Sequence, residues 1–356
     1  MSEPILSICI ATRNRAAFIG QTLDSLIGQM TDEVEIVVVD GASTDDTEQV
    51  VRAYEQRMPH LRYLRLERNG GFDRDYDRAV QEARGRFCWL FSDDDLLKPG
   101  AIRAVLDAIA QGYCLLIVNA EARSTDLSEL QQARVLPVGE DRTYGPHEHE
   151  RLFVDAAKYM SFIGCVVIRR DLWLARERER YYGTAFIHVG VIFQAPLPGD
   201  ARFISAPWIV IRYGNASWTA RAFEIWMVQW PKLIWSFPHL SDAAKRSITR
   251  KEPWRSPVVM LLSRAVDGYS PQIYRERYAP LLVGGRDRWM AWAIAHTPGV
   301  LINAAALLAF KLTRPYDKLM QVNFRASRFY YRNYLRSLLG ERKTNANHQS
   351  SIIHDS

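Results

Sequence analysis

Five short apolar runs recur along the first 120 residues, each separated from the next by a stretch with helical spacing. The runs are Leu6-Ser7-Ile8-Cys9-Ile10, Glu35-Ile36-Val37-Val38-Val39, Tyr63-Leu64-Arg65-Leu66, Phe87-Cys88-Trp89-Leu90-Phe91 and Leu115-Leu116-Ile117-Val118. They are too short for helices and rich in β-branched and aromatic side chains, so they read as strands. Between the first two, Phe18, Ile19, Leu23, Leu26 and Ile27 follow a helical period. Thr44-Asp45-Asp46-Thr47 can cap a helix that runs to about Arg57, ahead of Pro59. A Gly70-Gly71 turn precedes a helix from about Arg74 to Ala83, and Pro99 opens another to about Ala110. Strands alternating with helices predict an α/β chain with a doubly wound, mostly parallel sheet.

Sheets of this kind bind ligands beyond the carboxyl ends of their strands. The polar groups there are Thr12-Arg13-Asn14-Arg15, Asp40-Gly41-Ala42-Ser43 and Ser92-Asp93-Asp94-Asp95. All suit a charged, hydroxyl-rich ligand. Further strand signals lie at Cys165-Val166-Val167-Ile168 and Trp208-Ile209-Val210-Ile211. After about residue 220 the chain turns helical and rich in Trp and Arg, with Trp226, Trp230, Trp235, Trp254, Trp289 and Trp292. Three segments are therefore expected: a catalytic domain over 1–220, a helical region over 221–341 and a polar, disordered tail over 342–356.

The net charge of +6 is too mild to imply nucleic-acid binding, and no base-reading motif is present. Its distribution is uneven. Residues 251–356 carry 16 Lys/Arg against 7 Asp/Glu, a surplus of +9, which leaves −3 for residues 1–250. Cys9, Cys88, Cys114 and Cys165 sit singly in apolar runs without metal-ligand or redox spacing, so they read as buried thiols of a reducing compartment. The first residues, Met1-Ser2-Glu3-Pro4, lack the basic start and long apolar core of a signal peptide. A cytoplasmic location is expected.

Asp93-Asp94-Asp95 follows a wholly apolar strand. Three adjacent carboxylates repel one another, and a hard divalent cation among them, Mg2+ or Mn2+, offsets that repulsion. The alternative is an acidic cap on the helix after Lys98-Pro99-Gly100, although three acids exceed what a cap needs.

With its spacing to the other strand ends, this cluster resembles glycosyltransferase family 2, the nucleotide-diphospho-sugar transferases of the GT-A fold. The matching pieces are Leu6 to Arg15, Val37 to Thr47, and Ala83 to Asp95, in the family's order over about 100 residues. Gly71-Phe72-Asp73-Arg74-Asp75, Phe186-Ile187-His188-Val189 and Gly214-Asn215-Ala216-Ser217-Trp218 look like its abequosyltransferase-like branch, which adds a dideoxyhexose to bacterial O-antigen units.

The resemblance implies a nucleotide-sugar donor (CDP-, UDP-, GDP- or dTDP-linked) and a lipid-linked oligosaccharide acceptor. It places Ala11, Thr12 and Arg13 on the nucleotide, with Arg13 or Arg15 neutralising phosphate. The loop after the second strand normally carries two aspartates. Here Asp40 remains as base or ribose contact, and Gly41 replaces the second. Asp93-Asp94-Asp95 matches the DXD motif, with Asp94 first for the metal, Asp93 for ribose, and Asp95 open to a metal or catalytic role. Where the family often has Arg-Asn this chain has Tyr76-Asp77, so Arg74 is the replacement arginine. The other reading of that stretch is a helix start with local ion pairs.

In the matching region no Glu-Asp pair marks a catalytic base. His188 occupies about that place and its imidazole is a competent base, while a packed core histidine between Ile187 and Val189 is the competing reading. Arg212, Asn215 and Trp218 follow a strand and are expected to close over the diphosphate and sugar, or else to form a turn anchored by a buried tryptophan. A catalytically inactive sugar-nucleotide-binding scaffold is the alternative to an enzyme.

Trp289 to Leu312 is apolar but split by Pro298-Gly299 into two arms, each short of the roughly 20 residues a membrane span needs. A helix lying in the membrane interface, on the inner face of the cell membrane and drawn there by the basic surplus, is one expectation. A buried helix of a small bundle is the other.

Overall fold

The computed structural model describes residues 3–215, 221–282, 284–314 and 318–338. Two compact units divide the chain, Met1–Pro253 and Trp254–Ser356.

In the first unit β1 (Leu6–Thr12), α1 (Ala16–Ile27), β2 (Val34–Asp40), α2 (Thr47–Glu55), β3 (Leu61–Arg65), α3 (Phe72–Glu82) and β4 (Phe87–Phe91) follow the expected alternation. Next come β5 (Leu96–Leu97), α4 (Ala101–Ala110), β6 (Leu115–Arg123), β7 (Leu130–Gln132), β8 (Arg142–Tyr144) and α5 (His149–Ala156). The unit continues through β9 (Val166–Arg169), α6 (Arg170–Leu174), α7 (Ile187–Phe193) and β10 (Ala201–Arg212).

The sheet order is β3-β2-β1-β4-β9-β6-β10-β5, with β7 on β6 and β8 on β10. Strands β1 to β4 pair in parallel. β9 is antiparallel to both β4 and β6, so those two point the same way, and β10 is parallel to β6. Thr12, Asp40, Phe91 and Arg212 thus end their strands at one edge of the sheet.

Successive strand residues face opposite sides, and that period of two builds two cores. Cys9, Val37, Val39, Cys88 and Leu90 join Tyr76, Ala79 and Val80 of α3 on one side. Ile8, Ile10, Ile36, Val38, Trp89 and Phe91 join Ile19, Leu23 and Leu26 of α1 and Ile102 and Val105 of α4 on the other. The doubly wound sheet expected from the alternation is the one observed. β10 is longer than its expected core of Trp208–Ile211. Pro207, which cannot donate to the ladder, sits at register shifts that break the strand pattern in the sequence.

The first compact unit continues past residue 220. Trp226 and Trp230 lay their rings 5.5 and 4.7 Å from that of Phe186, and Leu233, Ile234 and Phe237 are buried in the same core. These aromatic contacts make 221–253 a cover for the α7 side of the sheet.

The second unit is helical. Asn303, which interrupts the apolar sequence there, is buried, and its amide donates to the carbonyls of Ala265 and Phe324, both at 2.9 Å. The tail expected from 342 lies outside the described residues.

Asp73, in the first turn of α3, reaches across to α7. Its carboxylate accepts from the backbone N–H groups of Ala185 (2.9 Å) and Ile187 (3.0 Å), and burial pushes its pKa up to about 6. Orphaned amides at a helix start need such an acceptor. Asp73→Ala is expected to destabilise the first unit by about 1–3 kcal/mol in urea unfolding. An unchanged midpoint would show that the cap contributes nothing.

Candidate active site

The loops after β1 and β2 are stitched into one surface. Asn14 (φ 55°) donates its backbone N–H to Ser43 Oγ (2.9 Å), and its side-chain oxygen accepts from Thr44 N (2.8 Å). Arg15 N donates to Thr47 Oγ1 at 2.8 Å. This fixes Arg15 at the start of α1, aimed at the end of β4.

There the Arg15 guanidinium meets two carboxylates, with Nε 3.5 Å from Asp93 Oδ1 and Nη2 3.3 Å from Asp94 Oδ2. Asn215 Nδ2 donates to the same Asp94 oxygen at 2.9 Å, while Arg15 Nη1 donates to the Asn215 carbonyl at 3.4 Å. Four expected residues (Arg15, Asp93, Asp94 and Asn215) are therefore brought together from β1, β4 and β10. Burial, and then the neighbouring Asp94, push the Asp93 pKa up to about 7 against the pull of Arg15. Burial also raises Asp94.

Thr12 is buried at the end of β1, Ala11 is half-buried before it, and Arg13 is exposed after it. Arg74 is exposed, and its guanidinium lies over the Tyr182 ring at 5.1 Å. Trp218 lies outside the described residues.

Four expectations change. His188 is fully buried on α7, with Nε2 2.5 Å from the Met160 carbonyl oxygen. Burial lowers its pKa to about 4, so the imidazole is a neutral core group and not a base facing a substrate. Asp95 is buried too. Its Oδ1 accepts from Arg212 N (2.9 Å), and burial, followed by Asp94, drives its pKa well upward, so it anchors β10 rather than acting on a ligand.

Arg212 is not held open for a diphosphate. It donates from Nε to the Asp94 carbonyl (3.0 Å), from Nη1 to the Thr125 carbonyl (2.6 Å) and from Nη2 to Gln21 Oε1 (2.6 Å). Asp40 has no exposed surface, and both its oxygens accept, from Ser43 N (2.8 Å) and from the Tyr63 hydroxyl (2.5 Å). It shapes the loop after β2. Sequence reasoning placed Asp75 in a family-like stretch, or else in a helix start with local ion pairs, and gave it no role of its own. It is buried, and its Oδ1 has no hydrogen-bond partner among the described residues.

Asp93 and Asp94 offer hard oxygen donors; the Arg15 guanidinium stands against the charge of both, and Arg212 acts on Asp94 as well. This donor set fits Mg2+ or Mn2+. Among the described residues no three His, Cys, Asp or Glu side chains converge on a metal position. Two carboxylates completed by substrate phosphate oxygens are an arrangement Mg2+ commonly takes.

The depressed pKa of His188 has a pH consequence. The folded chain binds that proton less well than the unfolded one, whose histidine titrates near 6.5. The stability His188 contributes is present above about 6.5 and is lost as pH falls toward about 4. His188→Gln is expected to flatten that window relative to the unsubstituted chain, read from urea midpoints against pH. Parallel curves would refute the assignment.

Comparisons with known proteins agree with this geometry. A family model, Glycosyl transferase family 2, matches residues 7–173. Abequosyltransferase RfbV of Salmonella typhimurium is 24% identical over 271 residues, which is 70% of this chain and 81% of that protein. Among solved structures, S. aureus TarS 1-349 superposes with a TM-score of 0.52 at 16% identity, covering 90% of each chain. The mannosyltransferase PcManGT of Pyrobaculum calidifontis, solved with GDP-Man and Mn2+, gives 0.50 at 17% identity, covering 96% of this chain and 89% of that one. At such identities the structures speak for the fold, and the fold is GT-A. The segment from residue 7 to residue 173, which carries β1 to β4 and both aspartates at the strand end, is the part that matches glycosyl transferase family 2.

Proposed function

We propose that this chain transfers a hexose, with a 3,6-dideoxyhexose such as abequose as the leading candidate, from a nucleoside diphosphate to a lipid-linked oligosaccharide in the synthesis of a bacterial surface polysaccharide. The observation that carries this reading is the convergence of Arg15 and Asn215 on Asp93 and Asp94 at the carboxyl ends of β1 and β4. The likeness to RfbV, named as an abequosyltransferase, supports the sugar. The PcManGT complex with GDP-Man and Mn2+ supports a nucleotide donor and a divalent ion.

In this mechanism Asp93 and Asp94 hold a Mg2+ or Mn2+ ion. When bound, the ion supplies positive charge against the negative charge that develops on a departing diphosphate. Arg15 holds both carboxylates in one orientation and adds a second positive centre beside them. Asn215 fixes Asp94 from the loop after β10, where Gly214 adopts φ 105°. Arg212 and Asp95 lock that loop to the end of β4, so the polar groups are set before a ligand arrives.

One observation favours a second reading, a sugar-nucleotide-binding scaffold. The two side chains expected to handle the acceptor proton, His188 and Asp95, are both buried in bonded positions. Calorimetry with CDP, UDP, GDP and dTDP, each with Mn2+ and with chelator, tests donor binding. One nucleotide is expected to bind in a metal-dependent way, and Asp94→Asn is expected to remove that dependence. A folded chain that binds none overturns the proposal. Binding without turnover of the matching nucleotide sugar, with a lipid-linked acceptor present, selects the scaffold.

The acceptor proposal includes a membrane surface. No single helix among the described residues is long and apolar enough to cross a bilayer, although the pair Gly285–His296 and Gly299–Thr313, bent by 93°, passes that test jointly. Trp289, Trp292, Leu301, Leu308 and Leu312 on this pair are exposed, Leu312 by 75%. Apolar side chains beside a basic surplus suit the interface of an anionic membrane. The chain is expected to float with vesicles containing phosphatidylglycerol and not with neutral ones. Trp289→Glu with Trp292→Glu is expected to abolish flotation, and equal flotation of the variant would refute the docking face.

A further inference from the structure

Asp75 is a buried carboxylate with an unanswered oxygen. It lies in the first turn of α3, with 4% of its surface exposed, and Oδ1 has no hydrogen-bond partner among the described residues. Leaving such a group unpaired is costly, so a native chain that keeps one usually has a use for it. Its charged surroundings are Arg13, which favours the carboxylate, and Asp40, which opposes it, with the Gly70 backbone N–H nearby. Burial pushes its pKa up to about 6.

Two glycines make room for this carboxylate. A Cβ on Gly41 would lie 2.5 Å from Asp75 Oδ2, and one on Gly70 would lie 2.7 Å from Asp75 Oδ1. Neither glycine has the positive φ that would call for glycine on torsional grounds. The close approach of Asp75 is therefore what keeps side chains off both positions. Gly41 directly follows β2, so the Asp75 carboxylate occupies the space that a side chain at that strand end would otherwise fill.

The location points to the ligand. β2 lies two strands from β4, and strands spaced about 4.8 Å apart place its end about 10 Å from that of β4. A diphosphate held at Asp93 and Asp94 would have its base about one ribose away, and the end of β2 lies within that reach. We propose that the Asp75 carboxylate accepts a hydrogen bond from a ring or exocyclic N–H of the donor's nucleobase, and so sets which nucleotide this chain prefers. This inference rests on the proposed nucleotide-sugar reading. The acceptor comes from α3 because the chain has glycine at the end of β2.

The test is calorimetric binding of CDP, UDP, GDP and dTDP with Mn2+ to the full chain and to three variants: Asp75→Ala, Asp75→Asn, and Gly41→Asp combined with Asp75→Ala. Asp75→Ala is expected to weaken the preferred nucleotide by about tenfold or more and to level the four affinities. Its melting temperature is expected to hold or rise, because an unpaired buried carboxylate is gone. The combined variant returns a carboxylate to the same space from the other side and is expected to restore the preference.

Binding of all four by Asp75→Ala and Asp75→Asn as tightly as by the unsubstituted chain would overturn the inference. An equal loss for all four, with lowered stability and no rescue, would overturn it in favour of a structural Asp75. An unsubstituted chain that binds none of the four overturns the transfer reading itself and this inference with it.

Discussion

The Arg15 guanidinium, with Arg212 also acting on Asp94, stands against two half-buried carboxylates at the end of β4, and the edge of the sheet is organised around that balance. Arg15 reaches both Asp93 and Asp94, yet burial still raises both pKa values. A site whose own cations leave its acids under-compensated is prepared for more positive charge from outside. The surrounding hydrogen bonds keep it in that state. Without the Asn14–Ser43 and Arg15–Thr47 links the β1 loop would be free to swing Arg15 into water. The two carboxylates would then lose their nearest guanidinium.

The Arg212–Asp95 tie serves the same end. Asp95 Oδ1 accepts from the backbone N–H of Arg212, and the Arg212 side chain donates to the Asp94 carbonyl. The guanidinium also lies over the Phe18 ring at 5.1 Å, on the helix that Arg15 precedes. Chain segments more than 110 residues apart are thereby fixed around Asp94. Asp95 and Arg212 resemble ligand-binding groups in sequence because they sit beside such groups. Their partners make them positioning residues.

The sheet was legible in the sequence because its information is local. Strands buried on both faces write themselves as short apolar runs, and the polar residues after each run mark the ligand edge. Thr12, Arg15, Asp93 and Asp94 do lie at that carboxyl edge of the sheet. Which of the flagged side chains already have partners was not legible, since those partners are distant in sequence. Tyr63 takes one oxygen of Asp40, Met160 takes the His188 ring, and Thr125 and Gln21 take the Arg212 guanidinium. His188 did carry a local warning in its apolar neighbours Ile187 and Val189. The boundary near 220 failed for the same reason. A stretch rich in Trp reads as an appendage until Phe186 is seen beneath Trp226 and Trp230.

Gly41 shows how a local gap can be a long-range arrangement. Read alone, glycine at the end of β2 is a missing acid. In the folded chain it is the clearance that α3 needs to bring Asp75 to the same place. Neither residue explains itself. The glycine has no torsional need, and the buried carboxylate is an unfavourable group to keep without a partner. Each accounts for the other if the function at this strand end is to present one carboxylate, whichever element carries it. The backbone of the loop, held by Asp40, Ser43 and Tyr63, fixes where that carboxylate must be. The choice of β2 or α3 to carry it is left to whichever side chain can reach without collision.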